Sequence, residues 1–159
     1  MAGSDKKQVY LTVAFCVYWL IVIYFLFFGM RTVGDLAADV NLRENSNFIP
    51  FATIIGYILS LGRHTVSLWT VLRNTFGNVL MAIPCGILLP AIFARMRWLS
   101  ATTITTLAVS FVLESFQLFW KLGSFDIDCL ILRAAGAAVG FLLWKQLEKR
   151  KQEKTSAES

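Results

Sequence analysis

The chain has little charge. Only 16% of its 159 residues are Asp, Glu, Lys or Arg, where a soluble domain carries about 25%. That disfavours a soluble enzyme, a disordered chain and a fibrous repeat. Histidine occurs once, as His64, and cysteine three times, as Cys16, Cys85 and Cys129. Each cysteine sits alone in an apolar segment, so no zinc or redox spacing and no disulfide framework is present. No metal or other cofactor is expected. The net charge is +5, but the basic residues fall in short clusters without interleaved aromatics, which excludes a nucleic-acid partner. What the chain has in excess is apolar: 57% hydrophobic and 14% aromatic residues, with a mean hydropathy of +0.62. These residues are gathered into runs of about 20, the length that crosses a bilayer.

Four such runs are expected to form an all-α membrane protein, a four-transmembrane-helix bundle. Residues 9–30 follow Lys6 and Lys7 and offer no A-x-A-like cleavage site, so they read as an uncleaved anchor helix rather than a signal peptide. Residues 71–93 carry Pro84 and Pro90, with a kink expected near Pro84. Residues 99–120 and 125–144 are joined only by the four residues 121–124, which makes them antiparallel neighbours. This divides the chain into a cytoplasmic N-terminus (1–8), a transmembrane domain (9–144) and a basic cytoplasmic tail (145–159). Residues 47–62, NFIPFATIIGYILSLG, are apolar but too short to span upright. They predict an interfacial or re-entrant segment between the first two spans, with a strongly tilted fifth span as the alternative.

Basic residues set the orientation. With the N-terminus inside, nine lie in the cytoplasm: Lys6, Lys7, Arg95, Arg97, Lys145, Lys149, Arg150, Lys151 and Lys154. Five lie outside: Arg31, Arg43, Arg63, Arg73 and Lys121. Trp69, Trp98, Trp120 and Trp144 stand near span ends, as an aromatic belt would place them.

The polar residues inside the spans fall at one depth. Asn74 and Asn78 share a face of the second span, and Glu114 and Gln117 share one on the third. Arg133 on the fourth span lies about 12 Å in, and Glu114 about 9 Å in, counted from the same side. These two charges are expected to pair. Asp126 and Asp128 open the fourth span, where carboxylates favour the positive end of the helix dipole. They read as helix caps, with a metal-binding D-x-D as the weaker alternative. Together the seven residues are either interhelical glue or the lining of an outward-opening pocket. Gly77 is expected to let another backbone approach. Gly136 and Gly140 form G-x-x-x-G, a packing motif for the bundle or for a homo-oligomer.

These residues resemble the motifs of the VanZ-like family of small bacterial membrane proteins. The resemblance runs from N-F-I-P-F at Asn47 through Asn74, Gly77–Asn78, Pro84 and Gly86. It continues with E-x-x-Q at Glu114 and Gln117, and closes with F-D-I-D-C-L-I-L-R-x-x-G from Phe125. Two positions depart from the family pattern: Cys129 stands where members commonly carry a further aspartate, and Arg133 where they carry asparagine. An arginine common before the Asp pair is missing around Gly123 and Ser124. The resemblance implies a multi-pass bacterial plasma-membrane protein of the cell envelope. The member that names the family is associated with resistance to teicoplanin, a lipoglycopeptide acting at the outer membrane face.

Three functions are consistent with this reading. One is a non-enzymatic envelope protein that contacts membrane lipids and binds an amphiphilic or lipid-linked molecule. The second is an intramembrane enzyme using Glu114, with or without a metal at Asp126 and Asp128. The third is an accessory subunit of a membrane complex.

Overall fold

A computed structural model describes residues 2–25, 46–64, 67–120 and 125–157. Among these residues there are five α-helices: α1 (Ala2–Tyr24), α2 (Ala52–Gly62), α3 (Leu68–Ile92), α4 (Leu99–Phe119) and α5 (Ile127–Ala157). A 3-10 turn, Ala94–Met96, links α3 to α4. No strand occurs among the described residues; the sole ladder-like contact there is an isolated parallel bridge between Asn47 and Asp126. The segments Val71–Ile92, Leu99–Phe119 and Ile127–Ala157 are each long and apolar enough to cross a membrane. In α1 the apolar part described, Gln8–Tyr24, is shorter than that. Residues 26–30 of the first run lie outside the described residues, as do Arg31, Arg43 and the 121–124 connection.

On α4 the packing is inverted relative to a soluble protein. Every buried residue of α4 is polar: Thr102, Thr106, Ser110, Glu114 and Gln117. Their spacing of four, four, four and three keeps them on one helix face. The apolar residues Ile104, Phe111, Val112 and Phe119 point outward, Phe119 being 80% exposed. A surface of that kind is stable against lipid, where apolar side chains need no burial in protein.

The most extensive packing joins α3 and α5, followed by α4 and α5. Glycines let α3 and α5 come together. A Cβ added to Gly136 would fall on the Val79 carbonyl, one on Gly140 on the Ile83 carbonyl, and one on Gly86 on the Ala137 backbone. The G-x-x-x-G therefore works inside the bundle. The expectation for Gly77 is corrected: a Cβ there would meet nothing within 4 Å. Gly77 lies nine residues from Gly86, about 180° round the helix, so it faces away from α5. The close approach belongs to Gly86.

Helix α1 runs antiparallel to α3. Gln8 Nε2 donates to the Ile92 carbonyl at 3.2 Å, and Tyr18 Oη donates to the Met81 carbonyl at 2.9 Å. Phe15 meets Phe93 edge-on at 6.3 Å. The Arg97 guanidinium lies 6.0 Å from the Trp144 ring centre. These contacts place the start of α1, the 94–98 turn and the C-terminal half of α5 at one end of the bundle. The basic stretch beyond residue 144 is helical. α5 continues unbroken to Ala157, a total of about 46 Å at the helical rise. Glu, Lys, Gln and Arg keep high helix propensity after the hydropathy falls.

Candidate functional site

At the end of the bundle opposite the chain termini, Asn47, Asp126 and Asp128 form a knot. The Asn47 N–H donates to the Phe125 carbonyl at 2.8 Å, and the Ile127 N–H donates to the Asn47 carbonyl at 3.0 Å. Asn47 Nδ2 donates to Asp126 Oδ1 at 3.2 Å and to Thr53 Oγ1 at 3.0 Å. Asp126 Oδ1 also accepts the Asp128 N–H at 2.9 Å, which makes Asp126 the N-cap of α5. Phe125 is buried beneath, stacked on Phe48 with ring centres 5.3 Å apart.

Asp128 caps a different helix. α2 begins after Phe51, which adopts φ 67° and supplies no side-chain cap. A left-handed conformation costs a non-glycine residue about 1–2 kcal/mol. The Asp128 carboxylate compensates by accepting the N–H of Phe51 through Oδ1, and through Oδ2 those of Thr53 at 2.8 Å and Ile54 at 3.1 Å. Both aspartates thus direct oxygens at helix N-termini. Asp128→Asn, which removes the charge and one acceptor oxygen, should weaken this clasp by about 1–3 kcal/mol. Hydrogen–deuterium exchange at Thr53 and Ile54 should then quicken while exchange in α4 stays unchanged. Unchanged exchange at α2 would show that its N-terminus is held by other means.

Deeper in the bundle a second polar group runs across four helices. Tyr57 Oη on α2 accepts from Asn74 Nδ2 at 2.7 Å, and the Asn74 carbonyl accepts from Asn78 Nδ2 at 2.7 Å. Asn78 Oδ1 accepts from Arg133 Nε at 2.9 Å. Arg133 Nη2 pairs with Glu114 Oε1 at 2.8 Å, the pairing expected from depth alone. Arg133 is 5% exposed and Glu114 4%. Cys129 Sγ lies 3.4 Å from Asn78 Nδ2. Gln117 is buried one turn beyond Glu114.

The seven expected residues therefore separate into two groups. Asn74, Asn78, Glu114 and Arg133 join one hydrogen-bonded chain, with Gln117 beside them, while Asp126 and Asp128 belong to the knot. Sequence reasoning missed Asn47 and Tyr57 as partners. It also missed Thr102, Thr106 and Ser110, which continue the Glu114 face and were legible from their spacing. A cavity lies on the far side of Arg133, between α1, α3 and α4. Tyr18, Trp19, Met81, Thr106 and Ser110 line it together with Arg133. It holds about 270 Å³ of empty space, its open side included.

A family model described as VanZ/LLP1 matches residues 15–148, which takes in each of the described helices in whole or part. Neither a curated protein nor a solved structure shows a significant match to the chain.

Proposed function

The chain belongs to the VanZ/LLP1 family, and from that premise we propose a non-enzymatic protein of the bacterial plasma membrane that holds an amphiphilic or lipid-linked envelope molecule. Its binding site is a polar pocket within the bundle that opens to the outer half of the bilayer. Glu114 and Arg133 form the floor, with Asn74, Asn78 and Gln117 above them and the Asp126–Asp128 knot fixing α2 at the rim. One observation carries this reading: a charged pair and its partners from three helices are buried at one level beside a cavity. A charge at the bilayer centre costs about 2.5–3.5 kcal/mol on insertion scales, and interhelical polar contacts return only about 0.6 kcal/mol each. Holding the helices together is thus a poor reason to keep this group. Both termini are assigned to the cytoplasm, because Arg95, Arg97 and the basic end of α5 share one end of the bundle with the start of α1.

Cysteine accessibility in intact cells tests the reading. Single cysteines replace Ser124, Ser100 or Asn74 in a background lacking Cys16, Cys85 and Cys129, and are probed with an impermeant maleimide. Labelling is expected at Ser124→Cys and not at Ser100→Cys. A short-chain diacyl phospholipid should slow labelling of Asn74→Cys saturably. Labelling at Ser100→Cys alone would turn the polar group towards the cytoplasm and overturn the proposal.

A further inference from the structure

The guanidinium of Arg133 is only partly satisfied. Nη2 is taken by Glu114 and Nε by Asn78. Nη1 is buried and has no hydrogen-bond partner among the described residues, although a guanidinium in a low-dielectric interior strongly favours filling every donor. Arg133 lines the cavity between α1, α3 and α4, and so does Ser110. Ser110 is 4% exposed, and its hydroxyl makes no hydrogen bond among the described residues. The other hydroxyls of the cavity wall already donate to protein: Tyr18 to the Met81 carbonyl and Thr106 to the Thr102 carbonyl.

Four properties define what such a cavity takes. The group must accept hydrogen bonds, because the unfilled atom is a donor. It must be neutral, because Glu114 already offsets the charge of Arg133 and an added anion would leave the site net negative. It must be small, because the inner space admits about one water-sized group. It must be carried on an apolar body, because Trp19, Val22, Met81, Ala82 and Leu113 form the rest of the wall. A phosphate or a sugar fails on size, and a carboxylate fails on charge. We propose that the cavity is a slot for the carbonyl oxygen of an acyl ester or amide, carried by an amphiphile that enters from the bilayer between α1 and α4. That route is the looser side of the bundle, since α1 packs on α3 and little on α4. The assignment rests on the reading that the molecule held is an amphiphile, and it names the atom by which that molecule is gripped.

Matched lipids test this without altering the protein. The purified full chain in detergent is titrated with a short-chain diester phosphatidylcholine, its diether analogue of equal length and headgroup, and an N-acyl amide amphiphile. The thermal unfolding midpoint is read by tryptophan fluorescence. The diester should half-saturate the protein at a concentration about tenfold below the diether, the ratio expected from losing one hydrogen bond to a charged donor. The amide arm separates the two carbonyl sources: matching the diester assigns any acyl carbonyl, and falling to the diether assigns the ester alone. Ser110→Val fills the slot and should abolish the preference for diester, and Ser110→Ala, which leaves the fold least disturbed, should reduce it. Equal half-saturation by diester and diether in the unaltered protein overturns the slot, leaving water as its occupant, while amphiphile binding itself stands. Absence of any midpoint shift with all three overturns both.

Discussion

Arg133→Leu should be the most destabilising charge change in the membrane interior, with an expected loss of about 3–5 kcal/mol, the range for breaking one partner out of a buried ion pair. It leaves the Glu114 carboxylate without its 2.8 Å partner and Asn78 Oδ1 without its 2.9 Å donor. Glu114→Leu should also be harmful, because it leaves the arginine charge unbalanced among apolar walls. The double variant Glu114→Leu, Arg133→Leu removes both charges, and it should be more stable than Arg133→Leu alone. Unfolding by SDS in mixed micelles measures all three, and the cycle isolates the coupling between the two side chains. A double variant as unstable as the sum of the two singles would show that the pair carries no coupling energy. Glu114→Gln should lie between the wild type and Glu114→Leu, since it keeps an acceptor oxygen for Arg133 but not the charge.

The features legible in the sequence were those with a local period. Apolar runs of about 20 residues mark helices α3 and α4 and the start of α5 closely. Depth counted at 1.5 Å per residue brought Glu114 to Arg133, because antiparallel neighbours with a short connection have nearly fixed register. What escaped was set by distance in the chain or by direction around a helix. Asp128 caps a helix that begins more than 70 residues earlier, and nothing near Asp128 announces that partner. Thr102, Thr106 and Ser110 continue the Glu114 face at spacings of four, but Ser and Thr barely alter the hydropathy of a span and so do not stand out. The helical continuation of α5 past residue 144 was hidden for the converse reason. Lys and Glu mark the limit of the apolar core, yet both are good helix formers, so the membrane boundary and the helix boundary differ.

Gly77 shows the same gap, and it supplies the control for the second large effect. A glycine in a sequence reports a missing Cβ; it does not report which neighbour, if any, uses the space. Gly136→Ala and Gly140→Ala each put a Cβ into backbone of α3, at Val79 and at Ile83. Backbone cannot swing aside as a side-chain tip does, so α3 and α5 must part. Overpacking of this kind costs about 1–3 kcal/mol. The separation should also lengthen the Arg133–Asn78 hydrogen bond, since Asn78 rides on α3 one residue from Val79. Gly77→Ala meets open space and should be neutral, or stabilising by up to about 1 kcal/mol through helix propensity. The three variants are compared by SDS unfolding, with loss at Gly136 and Gly140 and none at Gly77 as the expected pattern. Equal loss at all three would mean that any added methyl on these helices perturbs the bundle, and the close α3–α5 crossing would then not be what the glycines serve. Neutrality at all three would mean that α5 can shift along α3 without strain, and a site in which Asn78 holds Arg133 would lack the rigid seat that holding a ligand requires.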